Sequence, residues 1–300
     1  LGVDLGPLQL RTPLVAAAGT VGSVYEVSNT INLDRYGAAV AKSVSPEPWE
    51  GRPSPRLGHS DAGMLNGIGI QNPGIDAWLA DTVPLIVELP VPVWGSAVAH
   101  DVAGFGMVAA GLDSSPVAAV EVNLSCPNLD GMPFALDAGL SAAVIAEVRS
   151  ATSKPIGAKL SPDAQSVSTV ASSVMEAGAD WLVMGNTAMG AAIDVATRRP
   201  VLSGLIGGYS GAPLRPIAIR CVLEIHRDIP DVPIVGCGGV STGDHVIEYL
   251  LAGASAVGIG TAHFSTPRVA DRITRDLYEY MHDNNITSLQ ELRGAVIPWT

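Results

Sequence analysis

The residues able to do chemistry in this chain gather at a few polar points that interrupt apolar runs. The densest is Asn123-Leu124-Ser125-Cys126-Pro127-Asn128. A cysteine that ends an apolar run and enters a loop stiffened by proline suits three roles: proton acceptor or donor, nucleophile, or small core hydrophobe. Asn123 and Asn128 on either side favour the chemical roles. A thiol ionises near pH ~8.5, so it takes up a proton under mildly alkaline conditions, which an unassisted hydroxyl does not. Cys221 and Cys237 read as filler. Lys42 and Lys159 close the runs Val40-Ala41-Lys42 and Gly157-Ala158-Lys159. An ammonium there is costly without an anionic or polarised partner. One such lysine could snorkel to water; two favour a ligand carrying negative charge. Asn66, Asn123, Asn128 and Asn186 each offer a donor pair and an acceptor, a set suited to a ring with alternating N–H and C=O groups, such as a ureide or pyrimidine. Each alone also fits a turn or cap. Three glycine-rich stretches, Gly207-Gly208-Tyr209-Ser210-Gly211, Gly236-Cys237-Gly238-Gly239 and Gly258-Ile259-Gly260-Thr261, would let backbone N–H groups close on a phosphate. Met64 and Phe134 read as loop packing, and the scattered histidines show no ligand spacing, so no metal is expected.

Eight apolar runs would have to bring these groups together: Leu14–Thr20, Ala38–Val44, Val91–Val98, Ala118–Cys126, Pro155–Ser161, Trp181–Thr187, Pro233–Gly239 and Ala256–Ala262. They are continuous rather than alternating, as in parallel strands covered on both faces. Amphipathic segments separate them. Val167, Val170, Ala171, Val174 and Met175 share a helical face that Gly178 ends. Ser241 with Asp244 opens another helix, carrying Val246, Ile247, Leu250 and Leu251 before Gly253. The steps Ala177-Gly178-Ala179 and Ala252-Gly253-Ala254, each leading into a strand, repeat one αβ unit, with Tyr36-Gly37-Ala38 a weaker copy. The expected fold is therefore α/β: a (β/α)8 TIM barrel, one domain over residues 1–300. A doubly wound sheet rarely needs eight such units. Three long Gly- and Pro-containing stretches (46–78, 129–137 and 188–214) follow the second, fourth and sixth strands. All three leave C-terminal strand ends, where barrel active sites lie.

Composition bounds the function. A net charge of −12 and pI near 4.8 argue against a nucleic-acid surface. The three cysteines lie far apart, which disfavours a disulfide framework and a zinc or iron–sulfur site, and fits a reducing cytoplasm. Neither a membrane span nor a signal peptide is evident. The first residue, Leu1, is not methionine, so a few N-terminal residues are expected to be missing.

At these residues the chain resembles the class 1 dihydroorotate dehydrogenases over essentially its whole length. The resemblance rests on Lys42-Ser43, the run from Gly63 to Gly74 (GMLNGIGIQNPG), the Asn123–Asn128 motif, Lys159-Leu160-Ser161-Pro162, Gly207–Gly211 with Arg215-Pro216-Ile217-Ala218, and Gly260-Thr261-Ala262. Cysteine rather than serine at 126 separates it from the membrane-associated class 2 enzymes. Asp130–Asp137 and Pro53-Ser54-Pro55-Arg56 are most similar to subclass 1B, whose FMN subunit, with a homodimer core, works with a separate subunit carrying FAD and a 2Fe-2S cluster that passes electrons to NAD. The resemblance implies oxidation of dihydroorotate to orotate in pyrimidine biosynthesis, with Cys126 as base at C5, hydride passing from C6 to N5 of FMN, and Lys42 beside the reacting groups. It implies that Lys42, Asn66, Gly67, Ile68, Gly69, Ile70, Asn123, Asn128, Asn186 and Thr187 hold substrate. Gly19, Lys42, Ser43, Asn123, Lys159, Gly185, Gly211, Gly238, Gly239, Gly260 and Thr261 would hold FMN, with Lys159 near the N1/O2 edge. One departure stands out: the family has asparagine at the end of the third strand, where this chain has Ser96, able to supply one hydrogen bond to the flavin but not the amide pattern. Alternatives are a related FMN barrel acting on another dihydropyrimidine, a non-catalytic barrel binding a phosphorylated ligand, and a flavin-free cysteine-nucleophile enzyme.

Overall fold

Short apolar strands, each buried on both faces, pair only with their sequence neighbours until the last returns to the first. The computed structural model describes residues 1–125 and 133–299. Its strands β1 (Leu14–Ala16), β2 (Ala38–Val40), β3 (Val93–Ala97), β4 (Ala119–Asn123), β5 (Ile156–Leu160), β6 (Trp181–Met184), β7 (Ile234–Cys237) and β8 (Ala256–Ile259) form a closed parallel barrel, the expected TIM fold. β8 closes it by pairing with β1.

The register fills the interior by setting large residues against small ones. Gly157 is the β5 partner of Trp181, and a methyl there would run into the indole. Gly258 likewise makes room for Cys237 on β7. Trp94 and Trp181, both fully buried, pack with ring centroids 5.0 Å apart. Outside the barrel, Gly236 lets the Tyr249 ring lie directly on β7.

Around the barrel run α1 (Val102–Asp113), α2 (Ala138–Ala151), α3 (Val167–Glu176), α4 (Arg215–Asp228), α5 (Gly243–Leu251) and α6 (Val269–Asp283). Asp101, Asp137 and Ser166 cap the first three with side-chain oxygens. The α5 cap is Thr242, which accepts from the His245 N–H, rather than the expected Ser241. Gly178 and Gly253 follow α3 and α5 as read. At the N-terminal end of the barrel a hairpin (Val3–Leu5 with Leu8–Leu10) packs Gly6 against the Asp180 carbonyl.

Two expectations need correcting. The strands stop one to four residues earlier than their apolar runs, because the terminal residues leave the ladder: Gly19 has φ +84°, Gly239 has φ +69°, and Ala262 begins a helical turn. The long stretches 46–78 and 188–214 are not plain loops either. Leu57–Ser60, Gly63–Asn66, Gly207–Gly211 and Ala188–Gly190 join in a four-stranded antiparallel sheet over the C-terminal rim. Residues 129–132 of the third long stretch lie outside the described residues, and Phe134–Leu136 form a short 3-10 turn. No helix among the described residues is long and apolar enough to cross a membrane.

Candidate active site

Where the strands end, the barrel opens into a cavity of about 300 Å3. Its base is polar and its rim, from Leu57, Met64, Leu214 and Phe264, is apolar. Of the residues singled out in the sequence, Gly19, Lys42, Ser43, Asn66, Ile68, Ile70, Asn123, Lys159, Gly185, Asn186, Thr187, Gly211, Gly238, Gly239, Gly260 and Thr261 line it. Strand ends from all round the barrel thus meet in one space, although more than 200 residues of chain separate Gly19 from Gly260.

A chain of hydroxyls and amides organises the base. Ser96 and Ser43 share a hydrogen bond of 2.8 Å between their hydroxyls, and Asn123 Nδ2 donates to Ser43 Oγ at 3.3 Å. Asn123 Oδ1 accepts from Asn186 Nδ2 at 3.3 Å, and the same Nδ2 reaches Ser125 Oγ at 2.9 Å. The Thr187 N–H donates to Asn186 Oδ1 at 2.8 Å. Across the cavity Asn66 Nδ2 donates to the Gly208 carbonyl at 3.3 Å, so the antiparallel sheet is tied through that side chain as well. Each amide is fixed in orientation by protein groups, which leaves its remaining donors and acceptors in set directions for a ligand.

Several sequence expectations are redrawn. Ser96 does not line the cavity. It is buried behind Ser43 and spends its hydroxyl there. Gly67 and Gly69 are not among its lining residues either, and a methyl at each would meet Arg52. Gly207 and Gly208 are not phosphate-cradling turns: added methyls would strike Asn66 and Leu202 at the first, and Thr187 at the second. Gly236 and Gly258 serve packing in the same way. Met64, read as loop packing, lies on the rim, and Cys237, read as filler, forms part of the wall. Ser210 and Thr20 line the cavity without having been singled out. Cys126 and Asn128 lie outside the described residues.

A family model for dihydroorotate dehydrogenase matches residues 1–281. The chain is 40% identical to the dihydroorotate dehydrogenase B (NAD+) catalytic subunit of Geobacter sulfurreducens over 299 residues, 99% of this chain and 98% of that one. Similarity to the proteins of the same name from Geobacter sp. (strain M21) and Desulforudis audaxviator is comparable, at 39% and 38% identity, covering 98% and 96% of those chains. The chain belongs to the dihydroorotate dehydrogenase family. Its likeness to B-type catalytic subunits agrees with the subclass 1B resemblance.

Within this family site, two buried features were not foreseen. Glu121, inside β4, is 2% exposed and places Oε1 3.5 Å from Lys159 Nζ. Its partner is 38 residues away in sequence, so nothing local announces the pair. The second is His263, buried just beyond β8. Its Nδ1 lies 3.0 Å from Thr20 Oγ1 and its Nε2 lies 2.8 Å from the Tyr36 hydroxyl. Burial holds its pKa down at about 4. Burial likewise raises the Cys237 thiol, with Lys159 opposing and Glu121 adding to the shift, so Cys237 is a protonated wall group near neutral pH rather than a base. Among the described residues, no cluster of three or more His, Cys, Asp or Glu side chains is placed to hold a metal.

Proposed function

We propose that this chain oxidises dihydroorotate to orotate in pyrimidine biosynthesis, as a single FMN-binding barrel domain and the catalytic subunit of an NAD-linked enzyme. The observation that carries the reading is the convergence of Lys42, Lys159, Asn66, Asn123 and Asn186 on one cavity in a chain of this family.

The residues present fit FMN. Ser210 Oγ is buried on the cavity wall without a hydrogen-bond partner among the described residues, an acceptor or donor suited to a ligand. A methyl at Gly19 would meet nothing within 4 Å, so that glycine keeps cavity space open. Gly211, Gly238, Gly239, Gly260 and Thr261 supply backbone groups close to the β7 and β8 ends, where barrels bind phosphate. Ser43, Asn123, Gly185 and the two lysines would contact the ring system. When bound, FMN supplies the two-electron acceptor for hydride from C6.

The chain's own groups do the rest. Cys126 removes the C5 proton. Asn66, Asn123, Asn128 and Asn186, with Thr187 and the Ile68 and Ile70 walls, read the alternating N–H and C=O edge of the substrate and hold its ring against solvent. Lys42 and Lys159 offset negative charge that develops as the ring system is reduced. Gly67 and Gly69, in the segment that carries Asn66, would offer backbone groups to the substrate. A separate subunit bearing FAD and a 2Fe-2S cluster completes electron transfer to NAD, with the catalytic chains as a homodimer core. The relatives' names, catalytic subunits of an NAD-linked enzyme, support that arrangement. The unpaired Cys221 and Cys237 thiols are consistent with a cytoplasmic setting.

Anaerobic mixing tests the proposal. The purified protein should be yellow, release FMN on denaturation, and bleach when dihydroorotate is added. Cys126→Ser should slow bleaching by about 10²-fold or more, with partial recovery at high pH and substrate binding kept. Colourless protein, or a flavin that dihydroorotate leaves oxidised, would refute it. Unchanged bleaching in the variant would remove Cys126 from the role of base.

A further inference from the structure

The barrel interior beneath the cavity holds a carboxylate that the reaction does not use. Glu121 is the register partner of Gly157 on β5, and Lys159 stands two residues further along that strand, so both side chains point inward. Lys159 reaches the cavity; Glu121 lies one level below and does not line it. Among the described residues Glu121 Oε1 has no hydrogen-bond partner, and the Lys159 charge lies 3.5 Å from it. A buried carboxylate with so little direct hydrogen bonding is costly to keep. The two charges also act with opposite sign on Cys237 in the cavity wall, which places that wall within the field of both.

From this we infer that Glu121 is a positioning residue that acts through Lys159. It fixes the ammonium at the cavity base and offsets part of its charge, which sets how strongly the site favours the reduced, anionic flavin over the oxidised one. The inference rests on the cavity being the flavin site. The pair makes the field at the ring that of a dipole rather than of an isolated cation. Removing the carboxylate charge while keeping its shape takes that offset away from the ammonium.

The test is E121Q, measured in the flavin-loaded protein as purified. Sulfite, whose flavin adduct is anionic, should bind about tenfold more tightly than in the wild type. The two-electron potential should rise by the matching ~30 mV. Both changes should disappear when E121Q is made in a K159Q background. Sulfite affinity and potential that stay unchanged or move the opposite way would overturn the inference, as would the same shift without Lys159. Should E121Q fail to fold, E121D provides the test: its shorter carboxylate, drawn back from Nζ, should give a smaller shift of the same sign, and no shift overturns the idea. The two readings separate cleanly. Wild-type protein without flavin refutes the site assignment, whereas flavin-loaded protein indifferent to E121Q refutes only the role of Glu121.

Discussion

Acidification should destabilise this barrel through one histidine, and the size of the effect follows from the hydrogen bonds around it. Thr20 Oγ1 donates to the Ala17 carbonyl at 2.9 Å, so toward His263 it accepts. Nδ1 therefore carries the ring proton and Nε2 accepts from the Tyr36 hydroxyl. The neutral ring is fully satisfied, and a second proton would go onto a nitrogen that already faces a donor. The side chain is only 3% exposed, so solvent does little to relieve the charge. Its pKa falls from 6.5 to about 4 in the folded chain. The unfolded chain takes up a proton as pH drops through 6.5, and the folded chain does so only near 4. Stability is thus intact above pH 6.5 and is lost progressively down to pH 4, by about 3 kcal/mol in all, at ~1.4 kcal/mol per pH unit. Urea unfolding of wild type and H263Q from pH 7.5 to 4.5 reads this directly. At pH 7.5 the variant should be weaker by about 1–3 kcal/mol for its lost buried hydrogen bonds. The gap should close or reverse by pH 4.5, because only the wild type carries the proton penalty. A gap that stays constant across the range would refute the assignment. Since Thr20 also lines the cavity, flavin retention in the wild type should decline over the same interval.

Two further tests probe the walls of the site. A methyl at Gly236 would collide with the Tyr249 ring, whose hydroxyl donates to the Gly238 carbonyl at 2.8 Å; G236A should therefore cost about 1–3 kcal/mol and loosen flavin binding. G139A, at an exposed helical position with only the Asp137 carboxylate nearby, should leave melting temperature unchanged or raised, and equal shifts in the two variants would contradict the packing argument. Burial pushes the Cys221 thiol up to about 11 and raises Cys237 as well, so iodoacetamide at pH 8 should label neither in the folded protein. Rapid alkylation at either site, located by mass spectrometry, would show that the thiol is not held as described.

The barrel was legible because its strands are buried on both faces and so read as unbroken apolar runs, each followed by a polar group. Where those runs cease to be strand was not legible. That boundary is set by backbone turns at residues such as Gly19 and Gly239, and an apolar window carries no record of φ. The glycines show the same limit from another side. A glycine that lets a ligand approach and one that makes room for a neighbouring side chain look alike in sequence. Gly238 and Gly239 line the cavity, while Gly207, Gly208, Gly236 and Gly258 take up Asn66, Thr187, Tyr249 and Cys237. Only the positions of distant partners distinguish them.

Charge was the hardest feature to read. Lys42 and Lys159 stood out because each ends an apolar run, but Glu121, inside Val120-Glu121-Val122, does not end one. In an alternating strand it would face solvent; here β4 is covered on both sides, and alternation carries the carboxylate into the barrel. The closed topology gives that residue its meaning. A parallel ladder brings β4 and β5 into register, the register sets Glu121 below Lys159, and the curvature of the barrel aims the ammonium at the cavity. Ser96 follows the same logic on β3. As the register partner of Glu121 it points inward, but Ser43 takes up its hydroxyl before it can reach the cavity. The layer beneath the site therefore shapes the field and geometry of the groups above it, and long-range register assembles that layer more than any local motif does.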